Sequence, residues 1–170
     1  MDSQTNLPLE LSSLVRRDGE LSDLRNLLRE QRLITLAGPG GTGKTRLAKK
    51  TARSVMESFE HGAWFIDLTG VFRDSGVAGA VSRVLGILEE EQTPLSKTIA
   101  RQLSAKNILL VLDNCEQVLK GCAGFAEEIL SQAPLTRILN PVFHFKRGYL
   151  TDKFSGNMQW FTTGGQNSGM

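Results

Sequence analysis

Residues 33–45 narrow the fold more than any other stretch of the chain. An apolar run, Leu33-Ile34-Thr35-Leu36-Ala37, is followed at once by Gly38-Pro39-Gly40-Gly41-Thr42-Gly43-Lys44-Thr45. The second part satisfies G-x-x-x-x-G-K-[ST], the spacing of a phosphate-binding loop. Wrapping a polyphosphate in consecutive backbone N–H groups needs conformations that side chains obstruct, hence Gly38, Gly40, Gly41 and Gly43, with Pro39 and Thr42 in the same cradle. Lys44 offers a mobile point charge to the outer phosphates, and the Thr45 hydroxyl is placed to hold Mg²⁺. Such a loop needs a strand before it and a helix after it. The apolar run supplies the strand, and Leu47, Ala48, Ala52, Val55, Met56 and Phe59 recur at helical spacing behind Lys44. The helix N-terminus then faces the anion with its partial positive charge.

The remaining elements alternate between strand and helix. Asp18 is the expected N-cap of a first helix striped by Leu21, Leu24, Leu27 and Leu28. Ala63-Trp64-Phe65-Ile66-Asp67-Leu68 reads as a second strand. Val77, Val81, Val84, Leu85 and Leu88 suggest a helix broken near Gly86, and Thr93-Pro94 opens another carrying Leu95, Ile99 and Leu103. Ile108-Leu109-Leu110-Val111-Leu112 is an unbroken aliphatic run, the mark of a strand covered on both faces. It ends in Asp113. An acid there can serve as a turn or helix cap. Downstream of a phosphate loop, at the carboxyl end of a strand, it is better explained as the acid that holds Mg²⁺. A helix with Val118, Leu119, Cys122, Ala126, Ile129 and Leu130 inward follows, and Thr136-Arg137-Ile138-Leu139 starts one more strand. The alternation predicts an α/β fold with a parallel sheet.

Composition bounds the function classes. The 170 residues suit one domain with a sizeable core, and a net charge of +2 is too mild to argue for nucleic acid. Lys49, Lys50 and Arg53 cluster on one helix and are expected to form a solvated face. Two cysteines, Cys115 and Cys122, are too few for a disulfide framework or a zinc site, which points to a reducing interior. No membrane-length apolar run and no signal-like N-terminus are present, so a cytoplasmic protein is expected.

Three segments together resemble one family: Leu14-Val15-Arg16-Arg17-Asp18-Gly19-Glu20, the stretch from Arg32 to Ala48, and Leu110-Val111-Leu112-Asp113-Asn114-Cys115-Glu116. They are similar to the NB-ARC or STAND class of signal-transduction P-loop ATPases, carried by LuxR-type and related bacterial transcriptional regulators. The similarity covers roughly Asn6 to Leu139, and residues 14–139 are expected to form the partial P-loop NTPase domain. The resemblance implies a P-loop NTPase three-layer sandwich, incomplete at its C-terminal side. It also implies an ATP/ADP switch that exchanges nucleotide, self-associates or releases an output domain when a sensor domain is engaged, and hydrolyses ATP slowly. Carried onto this chain, Gly38 to Thr45 hold the phosphates, Thr45 and Asp113 hold Mg²⁺, and the segment around Val15 lies near the adenine. Related ATPases often place a second acid directly after the metal-holding one. Here that position is Asn114, whose amide cannot accept a proton as a general base. Glu116 is the candidate that could replace it. Arg16 stands where the family has a glycine.

After Leu139 the resemblance stops. Pro141 cannot donate to a ladder and is expected to fit badly in a central strand. Residues 140–170 collect Phe143, Phe145, Tyr149, Phe154, Trp160 and Phe161 among polar residues, and are expected to be a poorly ordered tail. Residues 1–13 are expected to be a linker. The abrupt change at Leu139 suggests a fragment or an out-of-frame terminus. Two alternatives to the switch stand beside it: a P-loop phosphotransferase acting on a small acceptor, and a non-functional remnant. Neither direct nucleic-acid binding nor a membrane is expected.

Overall fold

The computed structural model describes residues 5–8, 17–142 and 158–162. Five parallel strands form one sheet in the order β2-β3-β4-β1-β5, namely β1 Leu33–Ala37, β2 Ala63–Asp67, β3 Leu109–Asp113, β4 Arg137–Val142 and β5 Met158–Thr162. Helices α1 (Asp18–Glu30) and α2 (Lys44–Val55) cover one face. Helices α3 (Gly76–Leu85), α4 (Leu95–Leu103) and α5 (Leu119–Gln132) cover the other.

Strand alternation divides the core in two. Ile34, Leu36, Leu109, Val111 and Leu139 pack with Leu24, Leu28, Leu47 and Ala48 on the α1–α2 side. Leu33, Leu110, Leu112 and Ile138 pack with Val77, Val81, Ile99, Cys122 and Ile129 on the other. Every residue of β3 is buried, as its unbroken apolar run requires. The helix after Val77 ends at Leu85, with Gly86 at φ 66°. Arg32, just before β1, donates to the carbonyls of Leu130 and Ala133 at 2.8 and 2.9 Å, satisfying free carbonyls at the end of α5.

Four expectations need correction. Asp18 is not the cap: Arg17 holds that position without a side-chain hydrogen bond, and Asp18 and Glu20 lie in the first turn of α1, where acids complement the helix dipole. Lys49 and Arg53 are not simply solvated. The Lys49 ammonium sits 4.4 Å from the Phe65 ring centroid, and Arg53 donates to the carbonyls of Leu7 and Pro8 at 2.6 and 2.9 Å. Those contacts belong to a docked segment within the expected linker. Thr5 bridges to Ala63, the Asn6 amide both donates to the Phe65 carbonyl and accepts from its N–H, and Leu7 is buried. The Asn6 side chain thus mimics a strand backbone against β2.

The fourth correction concerns residues 140–142 and 158–162, the described part of the expected tail. β4 does not stop at Leu139 but runs on to Val142, between β1 and β3, with Pro141 in register with Leu36. The ladder explains why proline is tolerated. Ile138 N–H donates toward β1, to the Arg32 carbonyl, and Arg137 N–H donates toward β3, to the Ile108 carbonyl. By alternation the missing N–H of Pro141 would face β3, beyond Val111↔Leu139, where β3–β4 pairing has ended. The Leu112 carbonyl left there accepts the Cys115 thiol at 3.2 Å. Met158-Gln159-Trp160-Phe161-Thr162 is also a strand, added to the other side of β1, in keeping with its aromatic and β-branched content. The other aromatics of that segment lie outside the described residues.

Candidate functional site

β1 ends at Ala37, the glycine loop follows, and α2 begins at Lys44. Gly41 and Gly43 adopt φ values of 73° and 74°, in the left-handed region that glycine enters without steric cost. Lys44 is 7% exposed, and its ammonium donates to the carbonyls of Gly38 and Pro39 at 2.9 and 2.6 Å. Burial lowers its pKa, and the charges of Glu116 and then Asp113 work the other way. The lysine is thus folded onto its own loop, with two carboxylates within electrostatic reach.

Asp113 closes β3, two strands across the sheet from β1, yet the two strand ends meet. The Thr45 hydroxyl donates to Asp113 Oδ1 at 2.9 Å. Asp113 is buried, and desolvation raises its pKa, opposed by the Thr45 hydroxyl and the Asn114 N–H. Gly41, Gly43, Lys44, Thr45, Asp113 and Glu116 line one cavity of about 250 Å³, and Pro141 forms part of its wall. One hydroxyl and one carboxylate are hard oxygen donors of the kind Mg²⁺ accepts, with its other positions left to water and phosphate. No group of three or more His, Cys, Asp or Glu side chains able to hold a metal occurs among the described residues. The donor set therefore fits a metal brought in with a polyphosphate rather than one held by protein alone.

Gly41, Gly43, Lys44, Thr45, Asp113 and Glu116 come together around one cavity. Val15 lies outside the described residues. Two residues that adjoin the site were not singled out from the sequence. Arg17 places Nη1 3.6 Å from where a Cβ on Gly43 would lie, and its Nε pairs with Glu20 at 3.6 Å. Asp67 is in register with Asp113 on the neighbouring strand, and its Oδ1 accepts from the Asn114 amide at 2.9 Å and from the Thr69 hydroxyl and N–H. These bonds, that of the Thr69 hydroxyl foremost, lower the Asp67 pKa. The Asp at the end of the second strand was the only hint available for this pair.

The architecture is that of a P-loop ATPase. A STAND protein with a tetratricopeptide repeat sensor from Pyrococcus horikoshii superposes with a TM-score of 0.66 at 15% identity, covering 98% of this chain and 26% of that one. Cdc6p from Pyrobaculum aerophilum gives 0.63 at 17% identity, over 91% of this chain and 46% of its own. The family model of the NB-ARC domain matches residues 18–123, and the chain belongs to that family. It is a nucleotide-binding module of this class. An uncharacterized protein of Mycobacterium tuberculosis is 36% identical over 129 residues, which is 76% of this chain and 33% of the relative. A protein of the same organism named as an HTH-type transcriptional regulator is 35% identical over 116 residues, or 68% of this chain and 13% of its own length. The chain thus spans a third or less of the curated relatives it matches. No helix among the described residues is long and apolar enough to cross a membrane.

Proposed function

We propose that this chain is the ATP/ADP-binding switch module of a signal-transduction regulator, with hydrolysis at most slow. The observation that carries the proposal is the 2.9 Å bond between Thr45 and Asp113 beside the glycine loop. It joins the loop that would grip the phosphates to the acid that would hold Mg²⁺. A bound Mg²⁺ would neutralise charge on the outer phosphates. Gly38, Gly40, Gly41, Thr42 and Gly43 would offer backbone N–H groups, Pro39, which has none, would shape the turn, and Lys44 would exchange its loop carbonyls for phosphate oxygens.

Slow turnover follows from the neighbour of Asp113. Asn114 is an amide tied to Asp67, so it supplies no base next to the metal-holding acid. Glu116 lines the same cavity and is the carboxylate assigned to polarise water, two residues beyond Asn114. A module that binds tightly and turns over slowly holds its nucleotide as a state. In the longer relatives, sensor and output domains would read that state. Calorimetric titration with ADP and ATP, with and without Mg²⁺, and a phosphate-release assay test the proposal. Magnesium-dependent binding with little release is expected. Binding indifferent to Lys44→Ala would reject the site, and transfer of the phosphoryl group to a small acceptor would reject the switch.

A further inference from the structure

The opposite end of the strands carries a second cavity, of about 420 Å³, between α1, α2 and the start of β4. Arg25, Arg29 and Arg137 line it, over an apolar floor that includes Leu28, Val55 and Phe59. Arg25 and Arg29 stand one helical turn apart, a spacing that disfavours like charges. Arg137 lies over Phe59, 5.9 Å from the ring centroid. Its Nη2 makes only a long 3.3 Å bond to the Arg29 carbonyl, and its Nε is buried without an acceptor. Among the described residues no carboxylate lies within ion-pair distance of any of these three arginines. Arg32 is close enough that the Arg137 charge, after burial, lowers its pKa. The fold therefore concentrates guanidinium groups around a concave space, and no carboxylate among the described residues pairs with them.

We propose that this cleft binds a small organic anion bearing phosphoryl or carboxylate groups. Arg25, Arg29 and Arg137 would take its oxygens, and Leu28 and Val55 would take its carbon body. A guanidinium is a planar fork that matches either oxyanion with two parallel hydrogen bonds. Arg25 is already oriented by its bond to the Ser54 hydroxyl at 2.8 Å. The volume falls in the range of small-ligand sites, roughly 300–1,000 Å³. A half-open concavity with both arginines and apolar side chains in its lining suits a compact ligand better than an extended polyanion track. The site is separate from the phosphate loop, since five-residue strands set the two ends of the sheet about 15 Å apart.

The test is an amide-resolved NMR titration of the full chain with pyrophosphate and, separately, with tricarballylate. It is run on the wild type, Lys44→Ala and the double variant Arg25→Gln/Arg29→Gln. Both arginines are exposed, so the double variant keeps the core. At least one probe is expected to shift amides of residues 25–29 and 54–59 to saturation. The double variant should weaken that binding about tenfold or more, and Lys44→Ala should leave it unchanged. The stronger probe identifies phosphoryl or carboxylate as the preferred group. No shift in the cleft with either probe, shifts undiminished in the double variant, or shifts abolished by Lys44→Ala would each overturn the proposal. Loss of the loop response alone bears only on the nucleotide site.

Discussion

β1 and β3 end at the same rim of the sheet, and each hands the chain to a helix through a residue of positive φ, Gly43 at 74° and Asn114 at 59°. The first corner is made of backbone. Gly41 and Gly43 take left-handed φ values there, and its one long side chain, Lys44, folds back on loop carbonyls. The second corner is made of side chains: Asp113 reaches Thr45, and Asn114 is held in the left-handed region by its bond to Asp67. A backbone corner tolerates little at each position, so it leaves a rigid motif. A side-chain corner is specified by partners on another strand, so its sequence can vary while its geometry persists.

The two corners can be separated by substitution. The largest effect is expected for Lys44→Ala, which removes charge-assisted contacts worth roughly 1.5–3 kcal/mol, a loss of about ten- to a hundredfold in ADP affinity by calorimetry. Gly43→Ala places a Cβ only in ordinary contact with Arg17, so its cost is backbone strain of about 1–2 kcal/mol, read in chemical denaturation. At the other corner Asn114→Val should incur a similar strain, whereas Asn114→Gly should lose only the bond to Asp67. Equal destabilisation by Val and Gly would show that side-chain pairing, not φ, governs this turn.

Smaller effects should depend on pH, with opposite signs at Asp113 and Asp67. The Asp113 pKa is raised by burial, so its contribution to stability is present below the ordinary carboxylate value and is lost as pH rises through the raised one. Asp113→Asn should therefore melt higher than wild type without ligand at neutral pH, with the gap closing in acid, while losing magnesium-dependent nucleotide binding. The Asp67 pKa is lowered by the Thr69 hydroxyl, so its contribution is present above the ordinary value and is lost as pH falls through the lowered one. Asp67→Asn should melt slightly lower at pH 7, with the gap vanishing in acid. Thermal melts from pH 3 to 8 check both.

Much of this was legible without coordinates. The loop from Gly38 to Thr45 declares itself because its chemistry depends on residue type at fixed spacing. The aliphatic run into Asp113 declares a buried parallel strand for the same reason. Together they imply the α/β alternation and the side of the sheet on which the site lies. Where the argument depended on a neighbour, local rules misled. Pro141 looked unfit for a central strand, but whether a missing N–H matters depends on whether the adjoining strand still pairs at that level, and β3 does not. Residues 5–7 looked like linker because polar side chains such as Asn6 carry no strand signal until Phe65 is beside them. Arg17 beside Gly43, Asp67 under Asn114 and the arginine-lined cleft were invisible for the same reason. Residue chemistry at fixed local spacing determined the loop, the strand–helix alternation and Asp113. Only the tertiary structure decided the contacts between residues far apart in the chain, because those depend on which strands become neighbours when the apolar faces are buried.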